Sequence, residues 1–323
     1  MICFTIEKLG KIFDPSVHIL NDGPGFFAQS PQALALPNGN VRIYFSTRST
    51  DGDTGKFISY VCYADFKDDL TTLVNVARHD VLGRGQLGAF DEHGIFPLNP
   101  VRIGDEVWGY TTGWTRRVSV SVDTAIGLVK SLDGGRTFQR VGTGPVLSAG
   151  RYEPFLVGDG FVRQIGRRFH MWYIFGQRWV REDETAEPDR VYKIAQATSH
   201  DGQNWYRESG QAILPDILGP NECQALPSVA YHSGFYHMVF CYRYAHGFRT
   251  EPTKGYRLGY AVSADAKSWR RDDSVLGLAG SKDDWDADMQ CYPHIFVHQD
   301  QLCLLYNGNA FGKEGFGLAR LKR

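Results

Sequence analysis

Four acidic residues occupy similar places in this chain, each in a short polar segment that precedes an apolar run. They are Asp91, Glu153, Glu222 and Asp286. Cleavage of a glycosidic bond needs one protonated carboxyl group, which gives its proton to the leaving oxygen, and one ionised carboxylate, which activates water or attacks the sugar. Carboxylates crowded in a partly dry cleft push each other's pKa values apart, so both forms coexist near neutral pH. If the fold gathers these four side chains, they are candidate catalytic residues for glycoside chemistry.

Side chains that could bind a sugar lie in or near the same segments. Aromatic rings offer flat faces to sugar rings, while guanidinium, imidazole and amide groups donate hydrogen bonds to hydroxyls or to an anionic group. The candidate substrate-binding residues are His93, Arg151, Trp179, Gln224, Arg243 and Tyr292. The sequence shows no metal-type spacing of ligands, so no metal and no other cofactor is expected.

A repeated motif indicates the elements that must position these residues. It reads Ser131-Leu-Asp-Gly-Gly-Arg-Thr-Phe138, Ser199-His-Asp-Gly-Gln-Asn-Trp205 and Ser263-Ala-Asp-Ala-Lys-Ser-Trp269, and the copies are roughly 65 residues apart. Asp-Gly pairs between apolar runs are typical of tight hairpin turns, in which the Asp side chain caps the backbone. Alternating strands upstream of each motif, together with two earlier hairpins, give five units of four short antiparallel strands. The pattern predicts an all-β, five-bladed propeller.

A propeller would bring distant segments together. The first strand of each blade lines the central channel, so the segments that lead into these strands meet at one mouth of it. These lead-in segments are residues 21–30, 90–97, 151–159, 221–227 and 285–294. The fifth unit is one strand short, so residues 1–15 are expected to complete the last blade and close the ring by pairing the N- and C-terminal strands. Residues 1–323 are predicted to form one domain.

The charge balance and the apolar content of the chain limit which partners and which cellular compartment are expected. The chain has 35 basic and 36 acidic residues, which argues against nucleic acid or an anionic membrane surface as the main partner. No run approaches 18 apolar residues, so no membrane span is predicted. The first residues lack the basic and long apolar regions of a secretion signal, and the chain is expected to be cytoplasmic. The six cysteines are interpreted as reduced, buried thiols. The oligomeric state is left open.

These features resemble a known group of enzymes. The five units, the Ser-x-Asp-Gly turns and the acids of the lead-in segments look like those of the five-bladed propeller glycosidases, which include glycoside hydrolase families 43, 62, 32, 68 and 130. The chain is most similar to family-43-like proteins of bacterial surface-polysaccharide biosynthesis. The likeness is carried by Phe90-Asp-Glu-His-Gly-Ile-Phe-Pro97, Trp285-Asp-Ala-Asp-Met-Gln-Cys-Tyr-Pro293 and Tyr306-Asn-Gly-Asn-Ala-Phe-Gly-Lys-Glu-Gly-Phe-Gly317.

The resemblance implies an arrangement of acids that this chain follows only in part. Family 43 enzymes place an Asp base at the start of the first blade, an Asp that tunes pKa in the second, and a Glu acid in the third or fourth. Here the first-blade position reads Gln29-Ser30-Pro31-Gln32, with no acid, although Asp22 lies a few residues upstream. Asp91 fits the second-blade position, while Glu153 and Glu222 compete for the role of the acid.

Three functions therefore remain open. The first is a glycoside hydrolase or related transglycosidase. The second is a propeller glycosyltransferase or phosphorylase, for which Arg151, Arg243 and Arg249 with His93 are candidate ligands of a phosphate or nucleotide. The third is a sugar-binding module without turnover, motivated by the missing first-blade acid. For each of the four acids, the alternative is a structural role in which it pairs with arginine or caps loop amides.

Two long connections between predicted strands indicate how large the substrate can be. Residues 176–191 and 243–256 exceed ordinary hairpin loops, and long loops in compact domains are commonly functional lids. Trp179, Arg243 and Phe248 are expected to wall off the cavity. The sequence therefore predicts a closed pocket for a short glycan or a terminal sugar, from which water is excluded.

Overall fold

The structure is a computed structural model that describes residues 4–18, 27–77, 81–278, 280–282 and 284–322. Its strands form five four-stranded antiparallel sheets, and the predicted all-β, five-bladed propeller is confirmed. The first blade contains β2 (Gln29–Ala35), β3 (Val41–Thr50), β4 (Phe57–Phe66) and β5 (Leu73–Val76). The second contains β6 (Ile95–Ile103), β7 (Glu106–Arg116), β8 (Val122–Ser131) and β9 (Gln139–Arg140).

The remaining blades repeat this order. The third contains β10 (Val157–Ile165), β11 (Arg168–Val180), β12 (Asp189–Ser199) and β13 (Tyr206–Arg207). The fourth contains β14 (Glu222–His232), β15 (Phe235–Tyr244), β16 (Arg257–Ser263) and β17 (Arg270–Arg271). The fifth contains β18 (Cys291–His298), β19 (Gln301–Asn307), β20 (Phe316–Lys322) and the first strand of the chain, β1 (Thr5–Phe13). Single turns of 3-10 helix cover Pro252–Lys254 and Asp273–Val275, and a short turn with left-handed backbone at Ala310 and Phe311 covers Asn309–Gly312. None of the helices in the described ranges is long and apolar enough to cross a membrane.

The predicted closure of the ring by the terminal strands is confirmed. β1 runs antiparallel to β20, with Thr5 opposite Lys322 and Phe13 opposite Phe316. The ring of Phe13 stacks on Phe316 at a centroid distance of 5.1 Å and lies 5.0 Å from Phe45 of the first blade. The first strand therefore completes the last blade through backbone hydrogen bonds and contacts the first blade through the apolar ring of Phe13.

The repeated turn motifs also join neighbouring blades. Asp201 accepts hydrogen bonds from the amides of Gln203 and Asn204, as expected for a residue that caps the turn. The next residue, Gly202, has a positive φ of 73°, and its carbonyl accepts a hydrogen bond of 2.9 Å from the Tyr110 hydroxyl of the preceding blade. Tyr44 bonds in the same way to Gly135 at 2.6 Å. At these two turns the backbone is left-handed and a tyrosine hydroxyl lies close to where a Cβ would be, so both positions favour glycine.

Each innermost strand carries a β-bulge at the same place. In all five blades, two residues of the innermost strand lie outside the pairing register with the second strand. We call the first residue of each such pair the bulge residue; the five are Ser30, Phe96, Asp159, Leu226 and Tyr292. Four of them, all except Phe96, have positive φ between 49° and 55°. Bulges re-aim side chains, and these five lie at the same position in each innermost strand.

Cysteine placement agrees with the interpretation from the sequence. Cys62, Cys223, Cys241, Cys291 and Cys303 are buried and are not joined in disulfides. Cys3 lies outside the described residues. Burial raises the pKa of the Cys303 thiol to about 11, which keeps it protonated at neutral pH.

Candidate active site

A cavity of about 310 Å³ opens where the bulge residues meet. Four of the five bulge residues line it: Phe96, Asp159, Leu226 and Tyr292. The cavity lies at the lower end of the range for small-molecule sites, roughly 300 to 1,000 Å³. Its size suits one or two sugar rings.

Asp159 is the one carboxyl group among the described residues that line the cavity. It is 7% exposed and its φ is 52°. Its backbone N–H donates to Thr112 Oγ1 at 2.7 Å, and its Oδ2 accepts a hydrogen bond of 3.1 Å from the amide of Leu226, the bulge residue of the next blade. The second blade thus holds the backbone of Asp159, and the fourth blade holds its side chain.

The environment of Asp159 changes its acidity. Burial raises the pKa of its carboxyl group to about 7, against the lowering effects of the Leu226 amide and the positive charge of Arg190. A group with this pKa is present in both protonation states near neutral pH, so it can give up a proton and take one back. This is the property required of a general acid or base.

The glycines beside Asp159 allow the blades to approach the bulge. A Cβ on Gly158 would lie 2.8 Å from Thr112 Cγ2, and one on Gly160 would lie 2.9 Å from Ile126 Cδ1. The two small residues therefore let β10 pack directly against the second blade. Asp159 is consequently held by close backbone packing as well as by hydrogen bonds.

Tyrosines form one wall of the cavity. The hydroxyls of Tyr192 and Tyr256, which both line it, are 2.5 Å apart. Tyr292 packs edge-on against Tyr256, with centroids 5.7 Å apart. Behind this wall lies Arg243, whose guanidinium is 3.5 Å from the Phe248 ring centroid and donates to the carbonyl of Tyr244 at 2.7 Å. Arg243 supports the wall without lining the cavity.

Three arginines from three blades line the cavity. They are Arg48 of β3, Arg190 of β12 and Arg249 of the β15–β16 connection. Arg190 donates to Ser121 Oγ at 3.4 Å, and Arg249 lies 3.7 Å from the carboxylate of Asp189. Burial, together with the positive charges of Arg249 and Arg190, lowers the pKa of Arg48. The cavity is therefore electropositive.

The four acids predicted to be catalytic lie elsewhere. Each pairs with a cation of the outermost strand in its own blade: Asp91 with Arg140 at 2.5 Å, Glu153 with Arg207 at 2.6 Å, Glu222 with Arg271 at 2.6 Å, and Asp286 with Lys8 at 2.6 Å. We call these four ion pairs the blade clamps. All four acids are at most 1% exposed. Each clamp ties the lead-in of an innermost strand to the outer edge of the same sheet.

Further hydrogen bonds complete the clamps. Glu153 accepts from the Tyr173 hydroxyl at 2.9 Å and from the Gly210 amide at 2.8 Å. Burial raises the pKa of Glu222, but the Ile217 amide, Gln224 and Arg271 outweigh it and hold that pKa below its usual value. None of the four acids lines the cavity. The structure therefore does not bring them together there, and their contacts agree with the structural alternative.

Three of the six predicted substrate-binding residues lie at or beside the cavity. Tyr292 lines the cavity, as expected. The ring of His93 packs at a tilt against the lining residue Trp114, with centroids 5.5 Å apart, and burial and the Arg116 charge lower the pKa of His93. Arg243 stands behind the tyrosine wall.

The other three are not at the cavity. Gln224 donates to the Glu222 carboxylate at 2.9 Å and so belongs to a blade clamp. Trp179 packs against the core at the end of β11, and the exposed Arg151 lies 5.3 Å from the Tyr152 ring. Asp22 lies outside the described residues. The two long connections do reach the site, but through Arg190 and Arg249 and not through Trp179, Arg243 and Phe248.

Sequence reasoning missed Asp159, Arg48 and Arg190. A signal for the first was present, since a residue followed by proline marks the bulge in four blades: Ser30-Pro31, Phe96-Pro97, Leu226-Pro227 and Tyr292-Pro293. Proline inside a sheet is typically found at bulges. In the third blade the same position reads Asp159-Gly160, and aligning the blades on it would have selected Asp159.

Two uncharacterised proteins are related to this chain over nearly its whole length. The chain is 34% identical over 324 residues to the uncharacterised proteins MT1551 and Rv1502 of Mycobacterium tuberculosis, with 98% of this chain and 99% of each relative covered. The chain belongs to the family of these two proteins. No family model matches it.

Solved structures share its fold at low sequence identity. A glycoside hydrolase superposes with a TM-score of 0.70 at 16% identity over 98% of this chain and 93% of that one. The β-1,2-mannobiose phosphorylase of Listeria innocua gives 0.66 at 12% identity over 98% and 97%. A thermostable family-43 glycoside hydrolase gives 0.65 at 14% identity over 91% and 88%. These likenesses establish the five-bladed fold.

Proposed function

We propose that this member of the MT1551 and Rv1502 family makes or breaks a glycosidic bond of a terminal sugar or short glycan, with Asp159 as the residue that moves the proton. The observation that carries the proposal is a buried carboxyl group in an aromatic-lined cavity, with a pKa of about 7. Support also comes from the fold, which the chain shares with proteins described as glycoside hydrolases and a mannobiose phosphorylase.

The chemistry of Asp159 follows from its surroundings. In the protonated form, its carboxyl group gives a proton to the oxygen that leaves the anomeric carbon. In the ionised form, it takes a proton from the incoming hydroxyl or water. The Leu226 amide fixes one carboxyl oxygen at 3.1 Å, so the other is left to face the substrate. Trp114, Tyr192 and Tyr292 provide the aromatic surface against which a sugar ring packs.

One observation favours transfer or phosphorolysis over plain hydrolysis. Hydrolysis by the usual route needs two carboxyl groups, and among the described residues the cavity has only Asp159. A reaction in which the second reactant carries its own negative charge needs only one. A propeller glycosyltransferase or phosphorylase is therefore the second candidate, and binding of sugar without turnover is the outcome that the experiments below must exclude.

The same resemblance that links residues 90–97, 285–293 and 306–317 to family-43-like proteins supports a setting for the activity. We place it in the bacterial cytoplasm, in the biosynthesis of a surface polysaccharide. Small activated sugars are available there, and a cavity of about 310 Å³ fits them better than it fits a long polymer. Cleavage within an intact polysaccharide would contradict this assignment.

The test is a comparison of Asp159→Asn with wild type. We would screen aryl glycosides, oligosaccharides and sugar phosphates, with and without inorganic phosphate. Loss of general acid and base catalysis should lower kcat by about 10²- to 10⁴-fold, with sugar binding little changed. The pH dependence near neutrality should also disappear. Asp133→Asn is the matched control, because Asp133 caps an exposed turn where asparagine is tolerated.

Two results would refute the proposal. Full turnover by Asp159→Asn would remove Asp159 from the chemistry. Sugar binding by the wild type, with no turnover of any substrate in the screen, would identify a binding module.

A further inference from the structure

We propose that Arg48, Arg190 and Arg249 form a subsite for a phosphate group at the edge of the cavity. The phosphate belongs either to the sugar substrate or to free inorganic phosphate that attacks it. The use of this subsite in turnover rests on the proposed function, whereas binding of phosphate there can be tested without it.

The three guanidinium groups converge from separate parts of the fold. Arg48 comes from the first blade, Arg190 from the third and Arg249 from the fourth, and all three line the same cavity. Their sequence separation means that no local helix or turn explains their meeting. The propeller itself brings them together.

These arginines have few partners compared with those elsewhere in the ring. In the blade clamps, Arg140, Arg207 and Arg271 each lie within 2.6 Å of a carboxylate. Within the described residues, Arg48 has no ion pair and only ring contacts, 5.3 Å from Phe27 and 5.7 Å from Phe57. Donor groups of the cavity arginines are therefore available to a ligand.

Charge balance identifies the ligand as an anion. Among the described residues, Arg48, Arg190 and Arg249 contribute three positive charges to the cavity, against Asp159, which is only partly ionised near neutral pH, and Asp189, which is 3.7 Å from Arg249. The arginines repel one another, as the lowered pKa values of Arg48 and Arg249 reflect; in both cases burial is the larger cause. A bound anion would relieve this repulsion.

Phosphate fits better than a sugar carboxylate. A phosphate group carries up to two negative charges and three or more acceptor oxygens, which matches several guanidinium forks at once. A uronate offers one charge and two oxygens, so it would leave part of the positive charge uncompensated. The tyrosine wall and Trp114 would then hold the sugar beside the phosphate.

A phosphate bound at this subsite could act as the nucleophile in phosphorolysis of the glycosidic bond. In phosphorolysis, a phosphate oxygen forms the new bond to the anomeric carbon while the bond from that carbon to the leaving oxygen breaks. The leaving oxygen takes the proton of Asp159, and the products are a sugar phosphate and an alcohol. The phosphate supplies the nucleophile that a second carboxylate would otherwise activate.

The binding experiment uses the intact protein and known ligands. We would titrate inorganic phosphate, glucose 1-phosphate, mannose 1-phosphate, glucuronate and glucose by calorimetry at constant ionic strength, set with sodium chloride. Wild type should bind phosphate or a sugar phosphate. Arg48→Met and Arg190→Met should each bind it about tenfold to a hundredfold more weakly, since each removes charge-assisted hydrogen bonds. Arg136→Met, at an exposed turn, is the matched control and should bind normally.

The ligands distinguish the source of the phosphate. Binding of free phosphate, with glycoside cleavage that requires it, identifies phosphorolysis. Binding of the sugar phosphates alone identifies a phosphorylated substrate. Absence of binding by either, equal binding by the arginine variants, or binding of glucuronate alone would overturn the phosphate subsite.

Asp159→Asn separates this inference from the proposed function. The variant should still bind phosphate, because the arginines are unchanged. If phosphate binding depends on Arg48 and Arg190 while no substrate is turned over, the subsite stands and the proposed function fails. If a neutral glycoside is turned over without phosphate binding, the proposed function stands and the subsite fails.

Discussion

Glu222 offers the sharpest test of whether the lead-in acids are structural or catalytic. Its carboxylate accepts hydrogen bonds from the amides of Ile217 and Leu218, from Gln224 and from Arg271. The side chains of Glu222 and Arg271 are 0% and 2% exposed, so solvent screens their pair very little. Removing one partner of a buried ion pair costs about 3 to 5 kcal/mol of folding free energy.

The two partners should not be equally sensitive. After Glu222→Gln, Arg271 still has Asp273 at 2.8 Å and the carbonyl of Pro215 at 2.7 Å, so we expect a loss near the lower limit, about 3 kcal/mol. Arg271→Met leaves two buried or half-buried carboxylates, Glu222 and Asp273, without their cation. It should therefore destabilise the protein more than Glu222→Gln does.

Urea denaturation measures the free energy of unfolding of both variants, provided that the m-value is unchanged. Glu208→Gln, an exposed acid, is the matched control and should stay within about 0.5 kcal/mol of wild type. The pKa of folded Glu222 is below its usual value, so the stability from this group is present above its unfolded pKa and is lost as pH falls through its folded pKa. Glu222→Gln should accordingly remove part of the acid sensitivity of unfolding. Unchanged stability with abolished turnover would instead make Glu222 catalytic and refute the clamp.

Three further changes test other parts of the structure. Deletion of residues 5–13 removes β1, and we expect a lower melting temperature with loss of cooperativity in the last blade; a truncated protein that melts like wild type would contradict closure by this strand. Gly202→Ala places a Cβ 2.7 Å from a neighbouring hydroxyl, whereas the Cβ of Gly142→Ala, also at positive φ, meets nothing within 4 Å. Gly142→Ala should lower the free energy of unfolding by about 1 to 2 kcal/mol, and Gly202→Ala should lower it more. Folded Asp159 has a raised pKa of about 7, so its contribution to stability is present below its unfolded pKa and is lost as pH rises through 7. At pH 8, Asp159→Asn should therefore unfold at a higher denaturant concentration than wild type. Equal denaturation midpoints at that pH would argue against burial of a charge.

The sequence predicted the propeller because its signals are local. The motif that contains Asp201 and Gly202 specifies a turn within a few residues, and its spacing counts the blades. Closure by the first strand also followed, since the last unit lacked a strand and β1 was the segment available to fill it. Those predictions needed only periodicity, turn chemistry and the rule that sheet edges are covered.

The candidate site could not be predicted in the same way. An acid near a channel strand can face the channel or the neighbouring sheet, and the sequence does not give its direction. Asp91 and Glu222 face outward because Arg140 and Arg271 of the outermost strands reach them at 2.5 and 2.6 Å. Those pairs join residues 49 positions apart, and only the assembled blade shows them.

The second to fifth blades thus use two levels of the innermost strand for different purposes. The clamp acid anchors the lead-in, and a few residues later the bulge presents one side chain to the cavity, as Glu153 precedes Asp159 in the third blade. With Ser30 and Leu226 at the first- and fourth-blade bulges, Asp159 is the one acid that the described residues bring to the cavity, whereas hydrolysis by the usual route needs paired carboxylates. Under the proposed function, the second reactive group would come from the substrate side, and the three arginines would provide the charge that holds it.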